Sequence, residues 1–293
     1  MKSVLVTGAT GALGQAVIAR LRSSGNYRVI AASRHCGDAS SFQLDVRNPE
    51  HIFAAIERTE PDLVLHLAAT FTSDFDEAYS VNVEAARQLL EVVQQSGICT
   101  RVLLVGSAAE YGVVQPDENP IREDRFLNPV SIYGLTKAWQ TQLAGVYAGR
   151  GVDVLVARIF NLDGPGLSER LFIGRLQKQI KEVLAGEKSV IELGSLAATR
   201  DYVSTGQATD QILAIAKHGE AGKVYHVASG IPVTMREILT SYLETHKLNA
   251  SVVHESTDFS NRTGYDVPVI YADLTNTMEL MKLEGESLCR NLN

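Results

Sequence analysis

Short runs of apolar, largely β-branched residues recur through the first half of the chain. They are separated by segments whose apolar positions repeat at helical spacing. Residues 4–7, 27–32, 63–67, 102–105 and 154–158 read as strands, because each is the short apolar run expected of a strand buried on both faces. Between them, Leu13, Ala16, Val17 and Leu21 share one helical face, and Val81, Ala85, Leu89 and Val92 share another, the stripe of a helix laid on a core. Apolar strands alternating with amphipathic helices predict an α/β fold, a Rossmann-type doubly wound parallel sheet. After residue 160 the alternation lapses. Gly164-Pro165-Gly166 is a turn signal; residues 171–184 and 234–243 read as helices, and 190–193 and 223–227 as strands. The pattern predicts a larger domain over 1–160 and a smaller C-terminal lobe over 161–293, with some later segments returning to the large sheet.

Composition narrows the class. The 293 residues are 45% apolar, enough for a sizeable core and too apolar for disorder. No stretch approaches the ~20 apolar residues of a membrane span. Met1 and Lys2 lead straight into the first strand with no small-residue cleavage site behind it, so no signal peptide is expected. A net charge of −7 argues against general nucleic-acid binding, whose affinity comes from neutralising phosphates. It leaves room for a few cations that grip a phosphorylated small molecule. Cys36, Cys99 and Cys289 are odd in number and far apart, which suits a reducing cytoplasm and offers no metal-ligand spacing. The seven histidines lack the paired spacing of a metal site, so no metal is expected.

The first strand runs into Gly8-Ala9-Thr10-Gly11-Ala12-Leu13-Gly14 and then into the first helix. Glycines so spaced let the backbone turn tightly and approach a pyrophosphate, while the helix N-terminus offers free N–H groups and a positive dipole end. Glycines alone also serve plain turns. Between the first strand and the first helix they read as a dinucleotide loop, with Gly8, Thr10, Gly11, Ala12, Leu13 and Gly14 against the cofactor. The second strand ends at Ser33-Arg34, about 20 residues beyond the loop, where an NAD enzyme usually carries a carboxylate for the ribose 2′-hydroxyl. None stands there. Arg34 can pair with a 2′-phosphate and Ser33 can donate a hydrogen bond, which favours NADP and leaves NAD open; an ordinary solvated arginine is the alternative. Asp45, after apolar Phe42 and Leu44 and next to Val46, can accept from an adenine amine or be an exposed loop aspartate.

Tyr133 and Lys137, in Tyr133-Gly134-Leu135-Thr136-Lys137, lie one helical turn apart on one face. A phenol with a pKa of ~10 is a poor acid–base catalyst near neutrality, and a neighbouring ammonium is expected to lower that value. Alone, Tyr-x-x-x-Lys often marks a plain helix surface; joined to the glycine loop it becomes specific. With these motifs in place the chain resembles the extended branch of the short-chain dehydrogenase/reductase superfamily over nearly its full length. The matching residues are 7–14, His66-Leu67-Ala68-Ala69, Asn82, Ser107 with Glu110-Tyr111-Gly112, Tyr133 with Lys137, Phe160-Asn161, Gly164-Pro165-Gly166 and Arg200-Asp201.

The resemblance implies nucleotide-sugar chemistry with Ser107, Tyr133 and Lys137 as the catalytic triad. It implies that Leu67, Ala68, Ala69, Asn82 and Phe160 line the cofactor beside Tyr133 and Lys137, and that Ser107, Ala108, Ala109, Asn161, Arg200 and Arg262 meet the substrate. Arginine suits a phosphate because its planar fork donates two hydrogen bonds to one anion. A surface arginine is the alternative for Arg262, and a satisfied turn serine for Ser107. The run Tyr202-Val203-Ser204-Thr205 departs from the family pattern, so the lobe's contacts are less defined. Residues 105–112, with Pro116, Glu118, Pro120, Glu123, Gly194-Ser195-Leu196 and Thr199, are most similar to reductases of nucleotide-linked 4-keto-6-deoxyhexoses, the GDP-4-keto-6-deoxymannose reductases among them. The expected activity is NADPH-dependent reduction at C4 in deoxysugar biosynthesis, by a homodimer built on the helices near 84–96 and 133–147. One rival is an NAD-dependent nucleotide-sugar 4-epimerase, which uses the same triad and retains its cofactor. Another is a non-catalytic dinucleotide sensor, which has no need of the triad. A 4,6-dehydratase of the family carries an Asp-Glu pair directly after its catalytic threonine. Here those positions are Ala108 and Ala109, and Glu110, one further, would face the opposite side of an extended strand.

Overall fold

Six strands and their intervening helices occupy the first half of the chain in the computed structural model, which describes residues 1–34, 41–256 and 267–290. They are β1 (Lys2–Thr7), α1 (Ala12–Ser23), β2 (Tyr27–Ser33), β3 (Ser41–Gln43), α2 (Pro49–Thr59), β4 (Leu63–His66), α3 (Phe75–Ala78), α4 (Ala85–Ser96), β5 (Arg101–Ser107), α5 (Ile132–Ala148) and β6 (Val154–Ile159), the short β3 being additional to the expected five. There follow β7 (Asn161–Asp163), α6 (Phe172–Leu184), β8 (Ile191–Leu193), β9 (Thr199–Ser204), α7 (Thr205–His218), β10 (Val224–Val227), β11 (Pro232–Thr234), α8 (Met235–Thr245), β12 (Val253–Glu255) and α9 (Thr275–Arg290).

The large sheet is parallel throughout, in the order β3-β2-β1-β4-β5-β6-β10. Alternation along β1 sends Val4 and Val6 into one core, with Val17 and Leu21 of α1, Ile212 of α7 and Leu280 of α9. It sends Leu5 into the opposite core, with Ile52 and Ile56 of α2, Leu90 of α4 and Tyr147 of α5. This two-sided burial is why the strands read as unbroken apolar runs. Chain order reverses at β1, which pairs with β2 on one side and β4 on the other. That reversal opens the crevice at the strands' carboxyl ends where such folds bind ligands.

Two details differ from the sequence pattern. The expected face of Val81, Ala85, Leu89 and Val92 is rotated: the buried residues of α4 are Ala85, Ala86, Leu89, Leu90 and Val93. A π-helical turn, Tyr79–Glu84, precedes α4, and its wider winding shifts the helical register. The stretch 199–218, which the periodicity left unassigned, forms β9 and α7. β10 and α7, although beyond residue 160, complete the large sheet and cover one of its faces.

The remaining segments build a smaller layer of their own. β7, β9 and β11 form a three-stranded sheet, and β8 pairs with β12. Leu176 and Ile180 of α6, Leu193, and Met235, Leu239 and Leu243 of α8 form its core. Asp201, 0% exposed, ties this layer down. Its Oδ1 accepts from the N–H and hydroxyl of Ser229, both at 2.7 Å, and its Oδ2 from the N–H groups of Gly230 (2.9 Å) and Ala272 (3.2 Å).

Candidate active site

The glycine loop joins β1 to α1 by a turn that side chains would not permit. Gly8 has φ +68°, and a Cβ there would lie 2.8 Å from the Ala68 nitrogen. A Cβ on Gly14 would lie 2.3 Å from the Gly8 carbonyl oxygen. Gly11 is the N-cap of α1, gives no side-chain cap, and no acidic residue stands in the helix's first turn. The open N–H groups and backbone cradle fit a pyrophosphate. Beneath the loop, the Thr7 hydroxyl accepts from the Ala68 N–H (3.2 Å) and lies 3.1 Å from His66 Nδ1. Leu67 and Ala68 are half-buried beside the loop, and Ala69 is exposed.

At the end of β2, Ser33 is half-buried and Arg34 exposed. Across from them, Asp45 takes both Arg47 Nε (3.0 Å) and Nη2 (2.6 Å). Those hydrogen bonds hold the Asp45 carboxyl down at about 2 despite partial burial. Arg47 is a second cation in this corner that sequence reading passed over; its Asp-x-Arg spacing was the available signal. Val46 is half-buried next to it.

Three elements bring Ser107, Tyr133 and Lys137 together. β5 ends at Ser107, which caps a 3₁₀ turn, Ala108–Glu110, by accepting from the Ala109 N–H at 3.2 Å. Ala108 and Ala109 are half-buried there. Ser131 caps α5, accepting from Gly134 N–H at 3.0 Å. Gly134 lets that helix press on the turn, since a Cβ would lie 2.4 Å from the Ala109 oxygen. The Ser107 side chain lies near enough to the Tyr133 phenol to favour its ionised form. The Tyr133 ring packs 4.8 Å, centroid to centroid, from that of Phe71, which is 41% exposed. Phe71 is a further residue the sequence did not signal.

The expectation that Lys137 depresses the Tyr133 pKa is corrected. Tyr133 as a whole is half-buried. Burial raises its pKa well above 10, with the Ser107 hydrogen bond opposing and the Glu110 charge reinforcing. The phenol therefore holds its proton. Lys137 is buried, donates to Gln140 Oε1 at 2.6 Å, and is pushed down by burial to about 8, with the Glu110 charge opposing. At neutral pH it remains mostly an ammonium.

Several expected site residues have different surroundings. Asn82 is 0% exposed, and its amide is fully engaged. It accepts from Thr70 N–H (3.0 Å) and donates to the Thr70 carbonyl (3.1 Å) and Thr136 hydroxyl (3.0 Å). It braces the loop after β4 against α5. The Phe160 side chain is buried in a cluster with Tyr111, Ile121 and Ala272, in the single-residue step between β6 and β7. Arg200, 5% exposed, donates to the carbonyls of Thr199 (2.9 Å) and Val267 (2.6 Å). Asn161 is half-buried and donates to the Asp201 carbonyl at 3.0 Å. Arg262 lies outside the described residues. Glu110 does not face away on an extended strand. The strand stops at Ser107, and the turn folds Glu110 inward to 0% exposure against Arg158.

That pairing opens a buried polar network. Arg158 Nη1 donates to the Tyr111 hydroxyl (2.7 Å), which in turn contacts His226 Nε2. Burial pushes His226 down to about 4, with the Asp273 carbonyl opposing and the Arg158 charge assisting. Burial pushes His66 down to about 3, aided by the Lys137 charge. Both fold neutral, whereas in the unfolded chain each takes a proton near pH 6.5. Unfolding therefore binds protons below pH 6.5, and stability falls as pH drops through that window by roughly 1.4 kcal/mol per pH unit for each histidine. Urea unfolding at pH 7, 6 and 5 is expected to show this decline, at a pH where carboxylates with lowered values still hold their charge. A flat profile down to pH 5 would contradict the neutral burial of both.

Comparison with known proteins places these features in context. The model of the NAD dependent epimerase/dehydratase family matches residues 4–228. Over 202 residues the chain is 28% identical to GDP-6-deoxy-D-mannose reductase of Pseudomonas aeruginosa, covering 67% of this chain and 66% of that protein. Over 251 residues it is 29% identical to dTDP-6-deoxy-L-talose 4-dehydrogenase (NAD(P)(+)) of Kitasatospora kifunensis, covering 82% and 78%. The structure of MoeE5 in complex with UDP-glucuronic acid and NAD superposes with a TM-score of 0.81 at 28% identity, covering 96% of this chain and 92% of that one. RMD from Pseudomonas aeruginosa complexed with NADPH shares the fold, with a TM-score of 0.83 at 22% identity, covering 96% and 91%. Among the described residues, no helix is long and apolar enough to cross a membrane.

Proposed function

Because the chain belongs to the NAD dependent epimerase/dehydratase family, whose members are NAD(P)-dependent enzymes, we propose that it is an NADPH-dependent reductase of a nucleotide-diphospho-4-keto-6-deoxyhexose. The observation that carries this reading is the placement of Ser107, at the end of β5, beside α5, where Tyr133 and Lys137 stand one helical turn apart, with the phenol kept protonated by burial. Bound NADPH supplies the hydride. Tyr133 donates its proton to the C4 oxygen as negative charge develops there, and Ser107 hydrogen-bonds the same oxygen. Fixed donors at a growing oxyanion are often the largest catalytic contribution. Lys137, still cationic at neutral pH, holds the nicotinamide ribose. The activities of the two relatives, reduction and dehydrogenation at a 6-deoxyhexose, support the substrate class.

The two positions directly after Ser107 supply no base for dehydration. Ala108 and Ala109 carry no titratable group, and Glu110 is locked to Arg158. NADPH oxidation measured against a panel of 4-keto-6-deoxy sugar nucleotides, with unmodified hexose nucleotides alongside, tests the proposal. Retained NAD⁺ with interconversion of unmodified sugars would turn the reading to a 4-epimerase.

Arg34 is proposed to read the 2′-phosphate, with Ser33 and Asp45 around the adenosine. Arg34→Ala is expected to weaken NADPH binding roughly tenfold, in line with ~1.5–3 kcal/mol for a charge-assisted hydrogen bond, and to leave NADH binding nearly unchanged. Fluorescence titration with both cofactors checks it; equal losses would remove Arg34 from phosphate recognition. We further propose a cytoplasmic homodimer joined through α4 and α5, where Val146 is exposed and Phe75, Tyr79 and Trp139 cluster.

A further inference from the structure

The Glu110 carboxylate joins the three elements around the proposed reaction centre. Its Oε1 accepts from the Ser107 N–H at 2.6 Å. Its Oε2 accepts from the Thr141 hydroxyl at 2.9 Å, from Arg158 Nε at 3.0 Å and from Arg158 Nη2 at 2.9 Å. Ser107 ends β5, Thr141 lies one turn beyond Lys137 on α5, and Arg158 lies in β6. Arg158 is in turn held by the Tyr111 hydroxyl (2.7 Å) and the Glu123 carbonyl (3.3 Å), with its guanidinium 4.7 Å from the centre of the Tyr111 ring. Gly106 provides the room, since a Cβ there would lie 2.6 Å from Glu110 Oε1.

A buried ion pair is a poor source of stability, because desolvation cancels most of the attraction and apolar side chains of similar volume often do as well. What a fully hydrogen-bonded buried pair supplies is a fixed geometry. We infer that Glu110, paired with Arg158, is a positioning residue that sets the Ser107 hydroxyl against the Tyr133 phenol by tying the end of β5 to α5 and β6. The inference rests on the roles proposed above for Ser107 and Tyr133. Glu110 acts through Ser107 and the helix.

Glu110→Gln alone leaves a lone buried cation and risks misfolding. The test therefore uses Glu110→Gln with Arg158→Gln, and separately Thr141→Val, which keeps the ion pair and removes only the tie to α5. Turnover and NADPH affinity are measured with and without Ser107→Ala. The double variant is expected to keep its NADPH affinity and its KM within about twofold while kcat falls roughly 50-fold. Adding Ser107→Ala should then cost less than about threefold more, because the hydroxyl is already misplaced. Thr141→Val should lower kcat about fivefold at unchanged KM. Losses that multiply in full with Ser107→Ala, or a kcat near wild type, would overturn the inference; if the double variant does not fold, a normal kcat in Thr141→Val does the same. A readout free of substrate is the Tyr133 Cζ resonance in ¹³C-tyrosine protein. Ser107→Ala is expected to move it in the wild-type background and not in the Thr141→Val or double-variant background. An equal shift in every background sinks the positioning role. This spectroscopic result stands even if the wild type reduces no 4-keto sugar, which would end the reductase reading instead.

Discussion

Tyr133→Phe is expected to lower kcat by roughly a thousandfold, within the range for loss of a positioned general acid, while NADPH affinity stays within about twofold. The reason lies in the local arrangement. Burial raises the phenol above its ordinary value, so near neutrality it is present as the donor that carbonyl reduction requires. Phenylalanine preserves the ring contact with Phe71 and removes only the hydroxyl. Combining Tyr133→Phe with Ser107→Ala should cost little beyond the single change, because both donors serve one oxygen. Steady-state kinetics on the reduced 4-keto substrate, with cofactor binding measured separately, give the answer. A variant that keeps more than about a tenth of wild-type kcat would remove Tyr133 as the acid.

Asp201→Ala is expected to be the most damaging single change to the fold. Four donors converge on this carboxylate, three of them backbone N–H groups. Alanine leaves them buried without an acceptor, at ~1–3 kcal/mol for each that water does not reach. A total near 4 kcal/mol corresponds to a fall in melting temperature of about 6 °C for a chain of this size. Asp201→Asn should fare little better, since an amide must turn its own N–H groups toward donors. Thermal unfolding followed by circular dichroism measures both, and a fall below about 2 °C in Asp201→Ala would show that these bonds are dispensable. Because the carboxylate joins β9 to the turn after β10 and to Ala272, its loss should loosen the smaller layer before the large sheet.

The α/β class, the positions of the first five predicted strands and the turn between β1 and α1 were determined by sequence alone. Each is local or periodic: two-sided burial writes itself as an apolar run, and Gly8 and Gly14 are required by clashes within a short segment and its neighbour strand. The Tyr133–Lys137 spacing was legible for the same reason, since one helical turn separates them. Tertiary structure decided everything that depends on partners far along the chain. Arg158 sits in a run of valine, leucine and isoleucine that reads as plain strand, yet its charge is met by Glu110, 48 residues away. Glu110 itself reversed direction because β5 ended and a tight turn began. Asn82 and Arg200, ligand contacts by resemblance, also bond parts of the protein far along the chain: Asn82 the Thr70 backbone and the Thr136 hydroxyl, Arg200 the Val267 carbonyl. Phe160, between β6 and β7, is buried against Tyr111, 49 residues away, and the π-helical turn rotated α4 by an amount no regular period encodes. A polar side chain's partner is chosen by packing in three dimensions. A single sequence records the side chain, while the fold alone supplies what faces it.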